Sequence, residues 1–205
     1  MDKYFFSEEL HRYTDREGNA YEGVTSSLPK NDFAMDEHCA MRGTAVHRIV
    51  ELHEKGTLDP ESLEPRDGSL DLRPYYEAYL KFRNHHHDPV GITDVKTGAA
   101  SPTTLLQLGG YAKLYREGET RTGDKAPYLG YEVKLWHPVY RYAGTLDIIE
   151  VESPRKFPVH VLYLRPDATF RLSDDYWSEM RENEGYFIAF MIRYQWMQKH
   201  LKGAN

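Results

Sequence analysis

Cysteine is nearly absent: Cys39 is the only one among 205 residues. A lone thiol excludes an intramolecular disulfide framework, a four-cysteine iron–sulfur cluster and a cysteine zinc site. Long apolar runs are missing too, and none approaches the roughly 18 residues of a membrane span. The first residues, Met1–Glu9, carry no apolar core of the secretory kind. A cytoplasmic protein without membrane partner is therefore expected. Positive charge is in deficit, with 26 Lys and Arg against 32 Asp and Glu, a formal net charge of −6. That balance excludes a protein that coats nucleic acid through bulk charge alone. Internal repeats and low-complexity tracts are lacking, apart from His85-His86-His87. What remains, 40% hydrophobic and 28% charged residues, is the composition of a globular chain able to bury one core.

Patterning along the chain predicts an α/β domain with a central mixed sheet flanked by helices. Leu10–Thr14 and Ala20–Val24 flank a Gly18-Asn19 turn, the signature of a β-hairpin. Apolar residues spaced by three and four predict helices over Asp36–Lys55, Pro74–Arg83 and Thr103–Tyr115. A C-terminal helix is expected from Asp174 or Asp175 towards His200, with a stripe of Tyr176, Met180, Phe187, Phe190, Met191, Tyr194 and Met197. Strands are expected at Val90–Lys96, Tyr131–His137, Tyr140–Val151 and Pro158–Leu164, and the polar stretch Glu117–Pro127 reads as a linker or exposed loop. The division expected is a single domain, 1–205, with an N-terminal hairpin segment (1–35), a core (36–167) and a C-terminal helix (174–202).

Four short motifs carry chemistry. Asp94-Val95-Lys96 puts a carboxylate and an ammonium on one face of a strand, with Val95 on the other. Such a pair can hold a divalent cation and steady a water; the bland reading is a surface ion pair. Gly144-Thr145-Leu146-Asp147 sets an acid within an apolar strand, where an uncompensated charge is costly, unless Asp147 is a solvated turn residue. His47 follows Gly43 by four residues on a helix, with Glu51 one turn further. Gln107 and Tyr111 sit at i and i+4 on the helix after the Asp-x-Lys strand. Singly, each reads more readily as structural than as functional. The histidine run with Asp88 reads as a solvated loop, since adjacent histidines cannot all face one ion. Trp136, His137, Tyr140 and Tyr142 read as sheet packing rather than base-stacking rings.

Together, Gly43-x-x-x-His47, Asp94-Val-Lys96-Thr-Gly98, Gln107-x-x-x-Tyr111 and Gly144-Thr-Leu-Asp147 resemble the motifs of RecB-like nucleases in the PD-(D/E)XK superfamily, of the single-domain phage and CRISPR-associated type. The resemblance covers roughly His47 to Tyr163. It implies a restriction-endonuclease-like mixed β-sheet and metal-dependent hydrolysis of DNA phosphodiesters, expected to be exonucleolytic and to serve repair, recombination or phage replication. By the same resemblance Asp94, Asp147 and the Val95 carbonyl would ligate Mg²⁺ or Mn²⁺, with His47 completing the site. Lys96 would position the attacking water or stabilise the transition state, Gln107 and Tyr111 would support it, and Glu132 would join as an outer acid. Hard oxygen ligands suit Mg²⁺ and Mn²⁺, and an imidazole favours the latter.

In such nucleases the Gly-x-x-Asp strand precedes the Asp-x-Lys strand, whereas here Asp94 comes before Asp147. A permuted sheet, natural or engineered, is therefore expected. DNA, single- or double-stranded, is the expected partner, with a homo-oligomer or a recombination protein as further partners. A catalytically impaired or non-catalytic DNA-binding protein that keeps the nuclease fold is the alternative, and a hydrolase of other phosphoesters a third. Lys96, Lys113, Arg116, Arg121, Lys134 and Arg141 are the candidate cations for a DNA groove.

Overall fold

A computed structural model describes residues 1–28, 37–65, 70–87, 90–99, 101, 103–153 and 155–200. The expected helix start at Asp36, Asp88 of the histidine run, and helix residues 201–202 lie outside them.

Three short strands come first: β1 (Tyr4–Ser7), β2 (Arg12–Asp15) and β3 (Ala20–Gly23). They form an antiparallel meander, so the expected hairpin is present with one further strand added at its edge. Helix α1 (Glu37–Glu54) follows, then a short 3₁₀ turn, Pro60–Leu63, and α2 (Arg73–His85). Proline in the first turn of α2 costs no hydrogen bond, and Tyr75, Ala78, Tyr79 and Phe82 give it one buried face. Strand β4 (Gly91–Lys96) and helix α3 (Thr104–Glu117) precede a long antiparallel pair, β5 (Leu129–His137) and β6 (Tyr142–Glu150). Strands β7 (Val159–Leu164) and β8 (Phe170–Leu172) and helix α4 (Trp177–His200) complete the chain.

The eight strands form one mixed sheet ordered β1-β2-β3-β6-β4-β7-β8, with β5 on the other edge of β6. On their shared edge of β6, β3 pairs in parallel with Tyr142 and Ala143, and β4 pairs antiparallel with Ile148 to Glu150. Between these two ladders, Gly144–Asp147 meet no strand on that edge among the described residues. The sheet is thus forked, and the fork places the site described below.

Helices cover both faces. Leu108, Ala112 and Leu114 of α3, with Met180, Phe187 and Met191 of α4, pack on Ile92, Leu146, Ile149 and Val161. On the other side, Val46 and Val50 of α1 and Tyr79 and Phe82 of α2 pack on Val95, Ile148 and Leu162. A small aromatic cluster of Tyr4, Tyr13, Tyr21 and Trp136 docks the meander onto Ala143 of β6. Glycine lets α3 and α4 touch: a Cβ on Gly109 would lie 2.7 Å from the Asn183 backbone.

Three expectations are refined. The stretch Glu117–Pro127 is largely the exposed loop expected, but it is pinned, because Glu119 exchanges both backbone hydrogen bonds with Trp136 and Arg121 accepts from the Lys3 amide. The buried stripe of α4 is Met180, Glu184, Phe187 and Met191, the acid being paired with Arg116. Met197 at the far end is 39% exposed, and Tyr176 precedes the helix. The histidine run is solvated as expected at His85 and His87, although His85 belongs to α2 rather than to a loop. His85 closes α2 with its ring nitrogen 2.7 Å from the Lys81 carbonyl, and the His86 ring packs on Phe82. Trp136, His137 and Tyr142 are buried within the sheet, in line with their packing role.

Candidate metal centre

Register explains how the acids meet. The β4–β6 ladder runs Gly91–Glu150, Ile92–Ile149, Thr93–Ile148 and then opens, so its continuation sets Asp94 across from Asp147. The β5–β6 ladder pairs Tyr131 with Ile148 and Val133 with Leu146, which sets Glu132 across from Asp147 on the other side. Three carboxylates therefore share one rung of three adjacent strands. Like charges directly opposite one another are destabilising in a sheet, and both ladders are interrupted at this rung.

The interruption also reverses the pleat. Val133 and Leu146 pack in the α3–α4 layer, whereas Tyr131 and Ile148, two residues away, pack in the α1–α2 layer. Residues two apart on a regular strand share a face. Glu132 absorbs the turn with φ of 51°, in the left-handed region that non-glycine residues avoid. Backbone held there costs about 1–3 kcal/mol and persists where its surroundings impose it.

His47 enters from α1. Its Nε2 donates to the Val95 carbonyl at 2.9 Å, while Nδ1 lies 3.3 Å from Asp147 Oδ1 and 3.5 Å from Glu132 Oε1. The Val95 amide donates to Asp147 Oδ2 at 2.7 Å, so this carboxylate replaces the ladder bond that β4 loses as it splays away. The carbonyl expected as an oxygen ligand thus has another task, fixing the imidazole. One ligand atom each from His47, Glu132 and Asp147 lies within 4.8 Å of the other two. Two hard carboxylates and one imidazole with its second nitrogen anchored on a carbonyl form a donor set that fits Mg²⁺ or Mn²⁺.

Asp94 stands beside this group. It is only 2% exposed, and Lys96 Nζ sits 2.9 Å from its Oδ1 and 2.8 Å from its Oδ2. The pair thus has a buried acid and a partly exposed ammonium, rather than lying on the open surface. Asp147, 6% exposed and mid-strand, is likewise no solvated turn residue.

Burial and neighbours set the charges. Burial raises the Asp94 carboxyl above its ordinary range, against the pull of Lys96. For Asp147, burial is outweighed by His47, Lys96 and the Val95 amide, and the carboxyl falls below its ordinary range. Glu132 is raised by burial and by the Asp147 charge, although His47 opposes this. Burial would lower His47, but Asp147 and Glu132 hold it well above the usual imidazole value. Lys96 is raised in spite of burial, by Asp94 and Asp147, so it is an ammonium at neutral pH.

Gln107 and Tyr111 approach through the fork from α3. The Gln107 amide donates to the Tyr111 hydroxyl at 2.9 Å, and both side chains line the same cleft as the acids. Neither bonds Lys96 among the described residues. Gly144 leaves room for the phenol: a Cβ there would stand 3.1 Å from Tyr111 Cε1.

The cleft holds about 960 Å³ between α1 and the meander, above β5 and β6. Among the described residues, six carboxylates and four Lys or Arg side chains line it, a formal excess of two negative charges. Of the expected groove cations only Lys96 and Lys134 reach it. Lys113 pairs with Glu117, Arg116 with Glu184, Arg121 with Asp2 and Arg141 with Asp15. Glu132 is the residue whose sequence signal was weakest. Its only mark was an acid on the strand facing the Gly-Thr-Leu-Asp strand.

Compared with known proteins, the chain matches no family model, no curated protein and no solved structure. No helix among the described residues is long and apolar enough to cross a membrane.

Proposed function

We propose that the protein is a divalent-cation-dependent nuclease that hydrolyses DNA phosphodiesters at the Asp94–Glu132–Asp147 rung. The observation that carries this reading is three carboxylates on one rung, gathered with His47 and Lys96 in a cleft of net negative formal charge. An excess of acid repels phosphate, so an anionic substrate fits this cleft only with a cation in it. Mg²⁺ or Mn²⁺ held by His47, Glu132 and Asp147, with Asp94 at its edge, would supply Lewis-acid polarisation of the scissile phosphate.

The chain's own groups divide the remaining work. The Lys96 ammonium, oriented by Asp94, can donate to a phosphate oxygen as negative charge builds up. It is not poised to take a proton. Val95 acts through its backbone, its amide aligning Asp147 and its carbonyl aligning His47. Tyr111, kept protonated by burial and by Asp94 and Asp147, offers a neutral hydroxyl at the floor of the cleft. Water adds to phosphorus, the P–O bond to the leaving strand breaks, and the products are a phosphate monoester and a free hydroxyl.

The reading treats the sheet as a rearranged version of the resembled nuclease sheet, with the Asp-x-Lys strand β4 ahead of β6 in the chain. A site needs its groups adjacent in space rather than ordered in sequence. Labelled DNA incubated with Mg²⁺ or Mn²⁺ tests it. Metal-dependent fragments from the parent, and their loss in Asp94→Ala and Lys96→Ala, are expected; equal cleavage by parent and variants contradicts it.

A further inference from the structure

The cleft runs past the carboxylates to the turn between β1 and β2. There Phe6 and His11 meet edge to face, ring centroids 5.3 Å apart, and Lys134 Nζ stands 4.9 Å over the Phe6 ring. His11 is exposed and has φ of 45°, an unusual backbone state for a residue with a Cβ. Arg12 next to it is exposed as well. Neither Arg12 nor Lys134 forms an ion pair among the described residues, whereas most other cations near the cleft are paired.

This corner is also coupled to the acids. Tyr13, packed on Phe6 at 4.6 Å, shares a hydrogen bond of 3.0 Å with Thr145, two residues before Asp147 on β6. Lys134 pairs with Thr145 across the β5–β6 ladder, two residues along β5 from Glu132. The ring corner is therefore tied to the two strands that carry Glu132 and Asp147.

We infer that the Phe6–His11 corner is a stacking subsite for an unpaired base flanking the scissile phosphate, with Arg12 and Lys134 meeting that nucleotide's backbone. The inference rests on the nuclease reading. Stacking on an aromatic platform beside free cations is how single strands are held without sequence readout. A base inside a duplex has its faces covered by its neighbours, so the subsite selects a single-stranded segment.

Binding of a labelled oligothymidylate, an abasic strand of equal length and a blunt duplex, measured by anisotropy in Ca²⁺, tests this. The parent binds oligothymidylate on the order of 10-fold tighter than the abasic strand. That gap narrows in His11→Ala, an exposed position, and in Phe6→Leu, which keeps apolar bulk; circular dichroism melts check the fold of both. Equal affinity of the parent for native and abasic strands overturns the subsite, as does a gap unchanged in both variants. Preference for the blunt duplex overturns it too. If Mg²⁺ or Mn²⁺ supports equal cutting of native and abasic strands, the subsite fails and the nuclease reading stands. If neither strand is cut, the nuclease reading fails and the subsite with it.

Discussion

Val95 and His47 hold each other: the Val95 carbonyl accepts from His47 Nε2 at 2.9 Å, while the Val95 amide bonds Asp147, the acid that faces the other nitrogen of the same ring. The backbone of one residue on β4 thereby orients two of the proposed ligands. Asp147→Asn should keep the fold, since the amide oxygen can still accept from Val95, yet lose cation binding and cleavage. A melting temperature within a few degrees of the parent, with cleavage reduced at least 100-fold, is the expected outcome. Thermal melts and a rate assay on labelled DNA check it.

Glu132 separates stability from function. Its left-handed φ and its two acidic neighbours both weigh against the fold. Glu132→Gly relieves the backbone strain and one buried charge, so denaturant midpoints should stay level or rise by the equivalent of about 1 kcal/mol. Affinity for Mn²⁺ should fall on the order of 10- to 100-fold in the same variant. A stability loss with unchanged affinity would contradict the role assigned to this residue.

Away from the site, Glu150 accepts from Arg83 at 2.7 Å and from Tyr131 at 2.8 Å. Burial raises its carboxyl, but these partners outweigh burial and hold it below the ordinary value. Such a depressed group contributes stability that is present above about pH 4.3 and lost as pH falls through the folded value. Glu150→Gln should be less stable than the parent at pH 7, and the difference should shrink at pH 3. Urea unfolding at the two pH values measures it.

The α3–α4 crossing depends on close backbone approach. A methyl at Gly109 would meet the carbonyl carbon and oxygen of Asn183 at 2.7 and 2.8 Å, and neither can rotate away. Gly109→Ala should therefore cost about 1–3 kcal/mol, read as a lower urea midpoint.

Much of this was legible in the sequence because it follows from period. Tyr75, Tyr79 and Phe82 mark the buried face of α2, and Ile92 to Lys96 and Leu146 to Glu150 mark strands. Strands β1 and β8 escaped notice since four and three residues give alternation too little length to register. Asp94, Lys96, His47 and Asp147 stood out by residue type and spacing. Glu132 was expected as an outer acid; that it stands directly with His47 and Asp147 could not be read, because cross-strand register depends on where the ladders start and break. Nor could the fate of Arg116 or Arg121, whose partners Glu184 and Asp2 lie far away in sequence.

Calorimetry in the presence of Mg²⁺ gives a second view of the site. A cation at about 100 times its dissociation constant stabilises the fold by roughly 2.7 kcal/mol. For a chain of this size that raises the melting temperature by about 5–10 °C. EDTA should reverse the shift, and Asp147→Asn should not display it.

Most direct of all is titration of the metal-free protein with Mn²⁺, followed by electron paramagnetic resonance. The account predicts that the free-ion signal is quenched stoichiometrically by the parent and restored in Asp147→Asn and in a Glu132→Gln, Asp147→Asn double variant. Absence of binding by the well-folded parent, or equal binding by the double variant, would contradict a metal centre at this rung.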